Sequence, residues 1–554
     1  MFDAVPDSPD LRRVLSLPRR GVDFQAAQAI ADRLTPLFAL HPEARLRPWQ
    51  GQALWEIAQN RGAFLGLPVG TGKTLISLLA AQVLGAQRPW LIVPGSVKGD
   101  YGVVLAKYAA LWRVLPPPPI YTFEELTQEG KVGLLEQVQP DALIIDEADR
   151  LRNQNSVTMR IGRYIAAHPN TAVVPMMGTP GRKSIRDYSH LLTWALKLGA
   201  PVPLSQEQLE LWAGAIDLNP AGGVRMGGGC LSLWLGATTT AELRAAWSER
   251  LNDTPGVLIV EDTECDQPLS VDMWYAPLDP VLEEHFGVLR DRKVSPDGWD
   301  VSDPLSMMRT ASQVGCGVHY VPNPRPPFEW AEARSDFCKF VRARIEDSQG
   351  STRPLDTDGA VASAFRKHPT VARWRTIKPT FEWNAEARWL SGSVVLEAAK
   401  WVQKTGGLVW CEHTAVCEAI AHVAQVPYFG KKGRDRAGRP IEGYPGGCVV
   451  SVKANKRMRN LQHDHYRNLF IGWAPSAEEA EQALGRTHRF GQERPVQVEI
   501  LCTCRDTLGA FNKSWLEALF VQESMKLTQK LLRANVTRPM LDAVRSHTHR
   551  FGGK

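Results

Sequence analysis

The sequence predicts an α/β chain: two parallel-sheet lobes, an irregular, mainly helical insert between them, and a helical C-terminal segment. Three observations predict it. Short apolar runs alternate with helix-like runs over 45–200. The alternation stops over 201–392, where Gly, Pro and Trp are dense. It resumes over 393–505. Apolar strands of this length, alternating with helices, belong to a parallel sheet covered on both faces. Residues 1–44 read as an N-terminal extension and 506–554 as a helical tail.

The elements follow in order. Residues 63–67 are short and apolar, and a glycine turn follows, Val69-Gly70-Thr71-Gly72-Lys73-Thr74. A helical run then reaches Leu84, and 90–93 reads as a second buried strand closed by Pro94-Gly95. The prolines of 116–119 make a stiff connector. Residues 142–145 and 171–177 repeat the strand pattern, each with a helix-like run behind it. In the insert, Gly222-Gly223 and Gly227-Gly228-Gly229 read as a flexible loop. The echo between Phe328-Glu329-Trp330-Ala331-Glu332-Ala333-Arg334 and the similar string at 381–388 reads as chance rather than a repeat architecture. Residues 408–411, 448–451, 469–471 and 496–501 read as the strands of the second lobe.

At 554 residues the chain is long enough for several domains. Its 44% apolar and 22% charged content is that of an ordinary globular protein. No apolar stretch is long enough to span a bilayer. Residues 1–20 carry acids and prolines where a signal peptide needs an apolar core, so a cytoplasmic chain without a membrane partner is expected. A net charge of +6 suits a polyanionic partner without requiring one. Most of the eighteen tryptophans are expected in cores, with a few available to stack on bases. The nine cysteines lack paired knuckles and read as reduced packing residues. Cys502 and Cys504 are expected on one face of a strand. Cys411, His413 and Cys417 match no closed zinc spacing.

Three motifs carry chemistry. A strand that feeds a glycine turn and then a helix aims backbone N–H groups at a phosphate. Lys73 then reaches the outer phosphates of a nucleoside triphosphate, and Thr74 ligates magnesium. The strict spacing would put glycine at 67, where this chain has leucine. Asp146-Glu147 follows the apolar run Leu143-Ile144-Ile145, at the end of a strand where such sheets place their ligands. Asp146 suits the metal and Glu147 the attacking water. Downstream, Gln482-Ala483-Leu484-Gly485-Arg486-Thr487-His488-Arg489 places two arginines three apart on an expected helix. Such a pair suits the charge that develops on a leaving γ-phosphoryl.

This ordered set resembles the superfamily-2 helicases, and within them the Swi/Snf-like branch of double-stranded DNA translocases. The resemblance covers 45–200 and 393–505 and implies two RecA-like lobes. Arg47-Pro48-Trp49-Gln50 is similar to the adenine-reading segment of that family, which implies nucleotide contacts from Arg47 and Gln50. Asp146 through Asn153 is similar to its second motif. Gly178-Thr179-Pro180 is similar to the segment that couples hydrolysis to nucleic-acid grip. Trp473-Ala474-Pro475-Ser476, with the run from Gln482 to Gln492, is close to its last signature and adds Gln482 to the nucleotide site. Ala474 stands where that family has asparagine.

The implied nucleic-acid contacts are Ser96 and Lys98 in the first lobe. In the second they are Ser451, Lys453, Lys456, Arg457 and Arg459, in a loop whose usual glycines are replaced by basic or bulky residues. Lys431, Lys432, Arg434, Arg436 and Arg439 read equally as a phosphate-tracking loop and as a solvated disordered one.

The expected activity is hydrolysis of ATP with magnesium, in a cleft between the lobes, coupled to movement along duplex DNA. Two alternatives stay open: a strand-separating helicase on DNA or RNA, and an ATP-gated DNA-binding module that does not travel.

Overall fold

The computed structural model describes residues 4–20, 24–68, 70–95, 98–114, 117–128, 131, 133–152, 155–218, 225–261, 265–276, 279–348, 355, 357–382, 384–452 and 459–537. The chain divides into two compact units. One comprises Met1–Pro220, Val224–Glu264 and Glu517–Leu532; the other comprises Ala221–Gly223, Cys265–Leu516 and Arg533–Lys554.

The first unit is built on six strands: β1 (Phe64–Gly66), β2 (Pro89–Val93), β3 (Ile120–Thr122), β4 (Ala142–Asp146), β5 (Ala172–Met177) and β6 (Val257–Ile259). They pair in the order β3-β2-β4-β5-β1-β6, every pair parallel. Successive side chains of a strand point to opposite faces, and both faces here are buried. Leu143 and Ile145 join one core with Trp90 and Ile92, while Ala142 and Ile144 join the other with Leu91 and Val93. That two-sided burial explains the unbroken apolar runs.

The sheet takes its last strand, β6, from beyond the expected end of the lobe at 200. Helices Gln206–Ile216, Gly229–Leu235 and Thr240–Asn252, expected in the insert, belong to this unit. Trp212 and Trp247 meet edge to face, 5.6 Å between centroids, in the same core as β4. The N-terminal extension is not separate either, because Leu11 and Val14 of helix Pro9–Ser16 are buried in that core. Gly227 is not in a flexible loop. It pairs with Ala4 in a β-bridge, and Val5 N–H donates to its carbonyl at 3.1 Å. Gly222 and Gly223 lie outside the described residues, as does Pro116 of the expected connector.

The second unit opens with β7 (Leu269–Tyr275), followed by β8 (Val318–Pro322), β9 (Ala385–Trp389), β10 (Leu408–Cys411), β11 (Tyr428–Phe429), β12 (Cys448–Ser451), β13 (Arg467–Ile471), β14 (Val496–Cys502) and β15 (Asn535–Val536). Seven of these form a parallel sheet in the order β11-β12-β10-β13-β14-β7-β15. β7 lies in the segment read as irregular. Its apolar residues alternate with Ser270 and Asp272 instead of running together. β14 ends at Cys502, so Cys504 is past the strand and the two do not share a strand face. All nine cysteines are free thiols.

Helices Pro280–Arg292, Pro304–Gly315, Phe328–Asp347, Asp358–Ala364 and Pro369–Ile377 fill the segment between β7 and β10, with β8 and β9 as an antiparallel pair. Trp330, Phe337, Val341 and Trp374 form a core of their own there. The echoed string adopts two different conformations. Its first copy starts helix Phe328–Asp347, and its second runs into β9. The tail carries helix Arg505–Met525 before β15; residues 538–554 lie outside the described ones. Among the described residues no helix is long and apolar enough to cross a membrane.

Candidate functional site

In the first unit, the loops that leave the carboxyl ends of β1, β4 and β5 gather the expected phosphate and metal residues. Helix Lys73–Leu84 starts directly after the glycine turn. Gly70 and Gly72 have φ of +101° and +84°, a region where a side chain is strained. At Gly72 there is no room either, since a Cβ would lie 2.3 Å from Gln50 Nε2. Thr71 Oγ1 donates to Pro68 O at 2.8 Å and closes the turn. Lys73 Nζ is folded under its own loop, donating to Leu67 O at 2.8 Å and Pro68 O at 3.2 Å. Leu67, the departure from strict spacing, is buried in the core and extends the strand pairing through its N–H to Met177 O, 2.8 Å. Val69 lies outside the described residues.

Asp146 is the last residue of β4 and is buried. One carboxylate oxygen accepts the Glu147 N–H at 3.0 Å, and the other accepts the hydroxyl of Tyr101. Burial raises its pKa and the neighbouring Glu147 carboxylate adds to that, against the pull of the Lys73 ammonium. Glu147 has φ of +54°, so the chain turns sharply off the strand. Gly178 follows β5, and a Cβ there would lie 3.9 Å from Lys73 Nζ. Pro180 lies over β1, 2.9 Å from where a Cβ on Gly66 would sit. Thr179 is held by two groups: Arg152, from the segment that follows Asp146, donates to its carbonyl, and Gln529 Nε2, which no motif marks, donates to its hydroxyl at 3.1 Å.

The Arg47–Gln50 segment grips the glycine turn. Gln50 Oε1 accepts the Arg47 N–H at 2.9 Å, which caps helix Pro48–Asn60, and Gln50 Nε2 donates to Thr71 O at 3.1 Å. Trp49 Nε1 reaches the same carbonyl at 3.3 Å, and Arg47 reaches Gly70 O at 3.5 Å. Both ends of the Gln50 amide are therefore engaged by the protein. Lys98, expected on nucleic acid, bonds both oxygens of Glu125 at 2.8 Å. Burial opposes that charge on Glu125, but Lys98, the Thr122 N–H and Lys131 outweigh it and bring its pKa down to about 2. Ser96 lies outside the described residues.

In the second unit, helix Ala477–Leu484 ends one residue before Gly485. Arg486 and Arg489 therefore sit in the turn after the helix, not on a helical face. They converge all the same: Arg459 O accepts from Arg486 at 3.1 Å and from Arg489 at 3.5 Å. Arg486 Nε also donates to Gln482 O at 3.1 Å, and Arg489 to Asn460 Oδ1 at 2.7 Å. Gln482 is buried, its amide donating to Glu478 at 3.2 Å. Gln492 pins the end of the turn, donating to His465 O at 2.9 Å and Thr487 O at 3.0 Å. Gln492 is thus a structural clamp on the arginine turn.

Arg459, expected on nucleic acid, instead turns inward to Glu442 at 3.2 Å. Ser451 is buried at the end of β12, and Lys453, Lys456 and Arg457 lie outside the described residues. The basic run beyond β11 is an ordered hairpin. Gly430 N–H donates to Arg434 O and Ile441 N–H to Gly433 O, and Asp435 takes the N–H groups of Ala437 and Arg439. Lys431, Lys432 and Arg436 are exposed on it.

No protein-family model matches the chain, and no curated protein matches it.

The residues present fit magnesium by their donor chemistry. The Tyr101 hydroxyl donates to Asp146, with Thr74 and Ser77 of helix Lys73–Leu84 close by. Thr74 and Asp146 are both hard oxygen donors, the kind that such a cation takes.

Proposed function

We propose that this chain is a nucleic-acid-stimulated ATP hydrolase of the helicase superfamily, of the Swi/Snf-like kind, that moves along duplex DNA. One observation carries the reading: Lys73-Thr74, Asp146 and Gly178, from three separate stretches of sequence, lie together at the carboxyl edge of one parallel sheet. In this reading the two sheets are RecA-like. The turn around Gly70 and Gly72 offers backbone N–H groups to the phosphates. Lys73 exchanges the Leu67 and Pro68 carbonyls for phosphate oxygens. Thr74 and Asp146 would hold magnesium, which would supply neutralising charge to the phosphate oxygens. Glu147 orients and deprotonates the attacking water. Arg486 and Arg489 neutralise the γ-phosphoryl as it leaves.

The test is the ATPase rate of the whole chain at fixed salt, with single-stranded DNA, duplex DNA and RNA compared. Strongest stimulation by duplex DNA supports the proposal. Strongest stimulation by single strands or RNA favours a strand-separating enzyme. Hydrolysis that no nucleic acid stimulates favours an ATP-gated binding module.

A further inference from the structure

We propose that Tyr101 is an autoinhibitory latch on the nucleotide site, and that nucleic acid releases it by drawing Lys98 away from Glu125. The inference rests on the ATP-hydrolase reading and concerns regulation of that same site.

Tyr101 sits on helix Lys98–Ala109, which follows β2, and its side chain is fully buried. A phenol carries one donor hydrogen and acceptor lone pairs. Here the hydrogen goes to Asp146, and Thr74 and Ser77 lie close by. The other oxygen of Asp146 is taken by the Glu147 N–H at 3.0 Å. Lys73 is turned to its own loop carbonyls at 2.8 and 3.2 Å. The groups assigned to magnesium and phosphate are thus held by one another and by Tyr101. A divalent cation of this size needs its oxygen ligands at about 2.1 Å, and the phenol hydrogen-bonded to Asp146 takes one of the lone-pair positions that it would use. In this proposal Tyr101 gives up that bond as Asp146 takes the cation.

The same helix is tethered at its first residue. Lys98, three residues before Tyr101, bonds both Glu125 oxygens at 2.8 Å, and Lys131 adds a contact to Glu125 at 3.2 Å. Glu125 is itself fixed by the Thr122 N–H at 2.8 Å, at the end of β3. The Lys98 side chain is 41% exposed, so a phosphate in solution can compete with Glu125 for it. Loss of that tether loosens the helix turn that presents Tyr101 to Asp146.

The experiment uses the full chain as wild type, Tyr101→Phe, Lys98→Gln and Lys73→Ala. Binding of fluorescently labelled ADP is measured over a magnesium titration, with and without duplex DNA. Deleting one hydrogen bond that competes with loading is expected to raise the magnesium-dependent affinity of Tyr101→Phe about fivefold. It is also expected to shrink the further gain caused by DNA. Lys98→Gln, which leaves every phosphate-facing group in place, should shift in the same direction without DNA. Magnesium dependence of Tyr101→Phe equal to wild type makes Tyr101 a core residue and overturns the latch. Weaker magnesium dependence makes it a support for Asp146 and overturns the latch equally. Equal nucleotide binding by wild type and Lys73→Ala removes the ATP site itself, and the latch with it.

Discussion

The Arg459 guanidinium lies against the backbone of Gly433, so that a Cβ added at Gly433 would come within 2.7 Å of Arg459 Cζ. The carbonyl of the same Arg459 receives Arg486 and Arg489. One residue therefore braces the basic hairpin with its side chain and the arginine turn with its backbone.

Gly433 and Gly438 separate these effects. Both have positive φ, +63° and +80°. A Cβ at Gly438 meets nothing, while one at Gly433 meets Arg459. Gly438→Ala is expected to cost about 1 kcal/mol from its left-handed backbone alone. Gly433→Ala should cost more and should also displace Arg459. Urea unfolding of the two variants checks this; equal losses would mean the Arg459 contact is not needed.

Lys73→Ala and Glu147→Gln are expected to abolish steady-state ATP hydrolysis while leaving the thermal midpoint close to wild type for Glu147→Gln, whose side chain lies off the end of β4. Phosphate release by either purified variant at the wild-type rate would refute the assignment.

Arg489→Ala should keep nucleotide affinity and lose roughly 10³ in turnover, the scale of an arginine that acts on the leaving phosphoryl. Single-turnover hydrolysis alongside equilibrium binding distinguishes the two quantities. A variant that turns over normally excludes Arg489 from the chemistry.

His465 gives a pH signature. It is buried beneath the arginine turn, and burial, with a smaller push from Arg494 against the pull of Asp464, lowers its pKa from 6.5 to about 4. Its folded value is depressed, so the unfolded chain takes up the proton first as pH falls. The resulting stability is full above pH 6.5 and is lost progressively towards pH 4. Between pH 7.5 and pH 5 this one group should remove about 2 kcal/mol of unfolding free energy. A His465→Gln variant that shows the same pH slope as wild type would rule out that origin.

Much of the fold was legible because strands such as β4 and β10 are covered on both faces and so read as apolar runs. Helix Lys73–Leu84 was equally plain, with its glycine turn before it and Gly85 after it. β7 escaped because its polar residues alternate with apolar ones, and β3 and β6 because three residues make no pattern. The arginine turn has the spacing of a helix face, but Gly485 ends the helix before it. At the site, the anionic and cationic anchors were visible as residue types in a fixed order. Tyr101, Glu125 and Gln529 were not. Each acquires its role from a partner distant in the chain, as Gln529 does from Thr179, and no local pattern encodes such a choice.

The pairing of β6 with β1 has a practical consequence for dissection of this protein. A fragment that stops near 200 would strip one flank from β1, the strand that delivers the chain into the glycine turn. The bare flank would offer unpaired peptide groups to neighbouring molecules and invite aggregation. Trimming at 264 restores the flank but still omits Glu517–Leu532, which the chain returns to the same unit after six of the seven strands of the other sheet. The smallest piece able to stand alone is therefore discontinuous in sequence, and needs either a circular permutation or two co-expressed peptides.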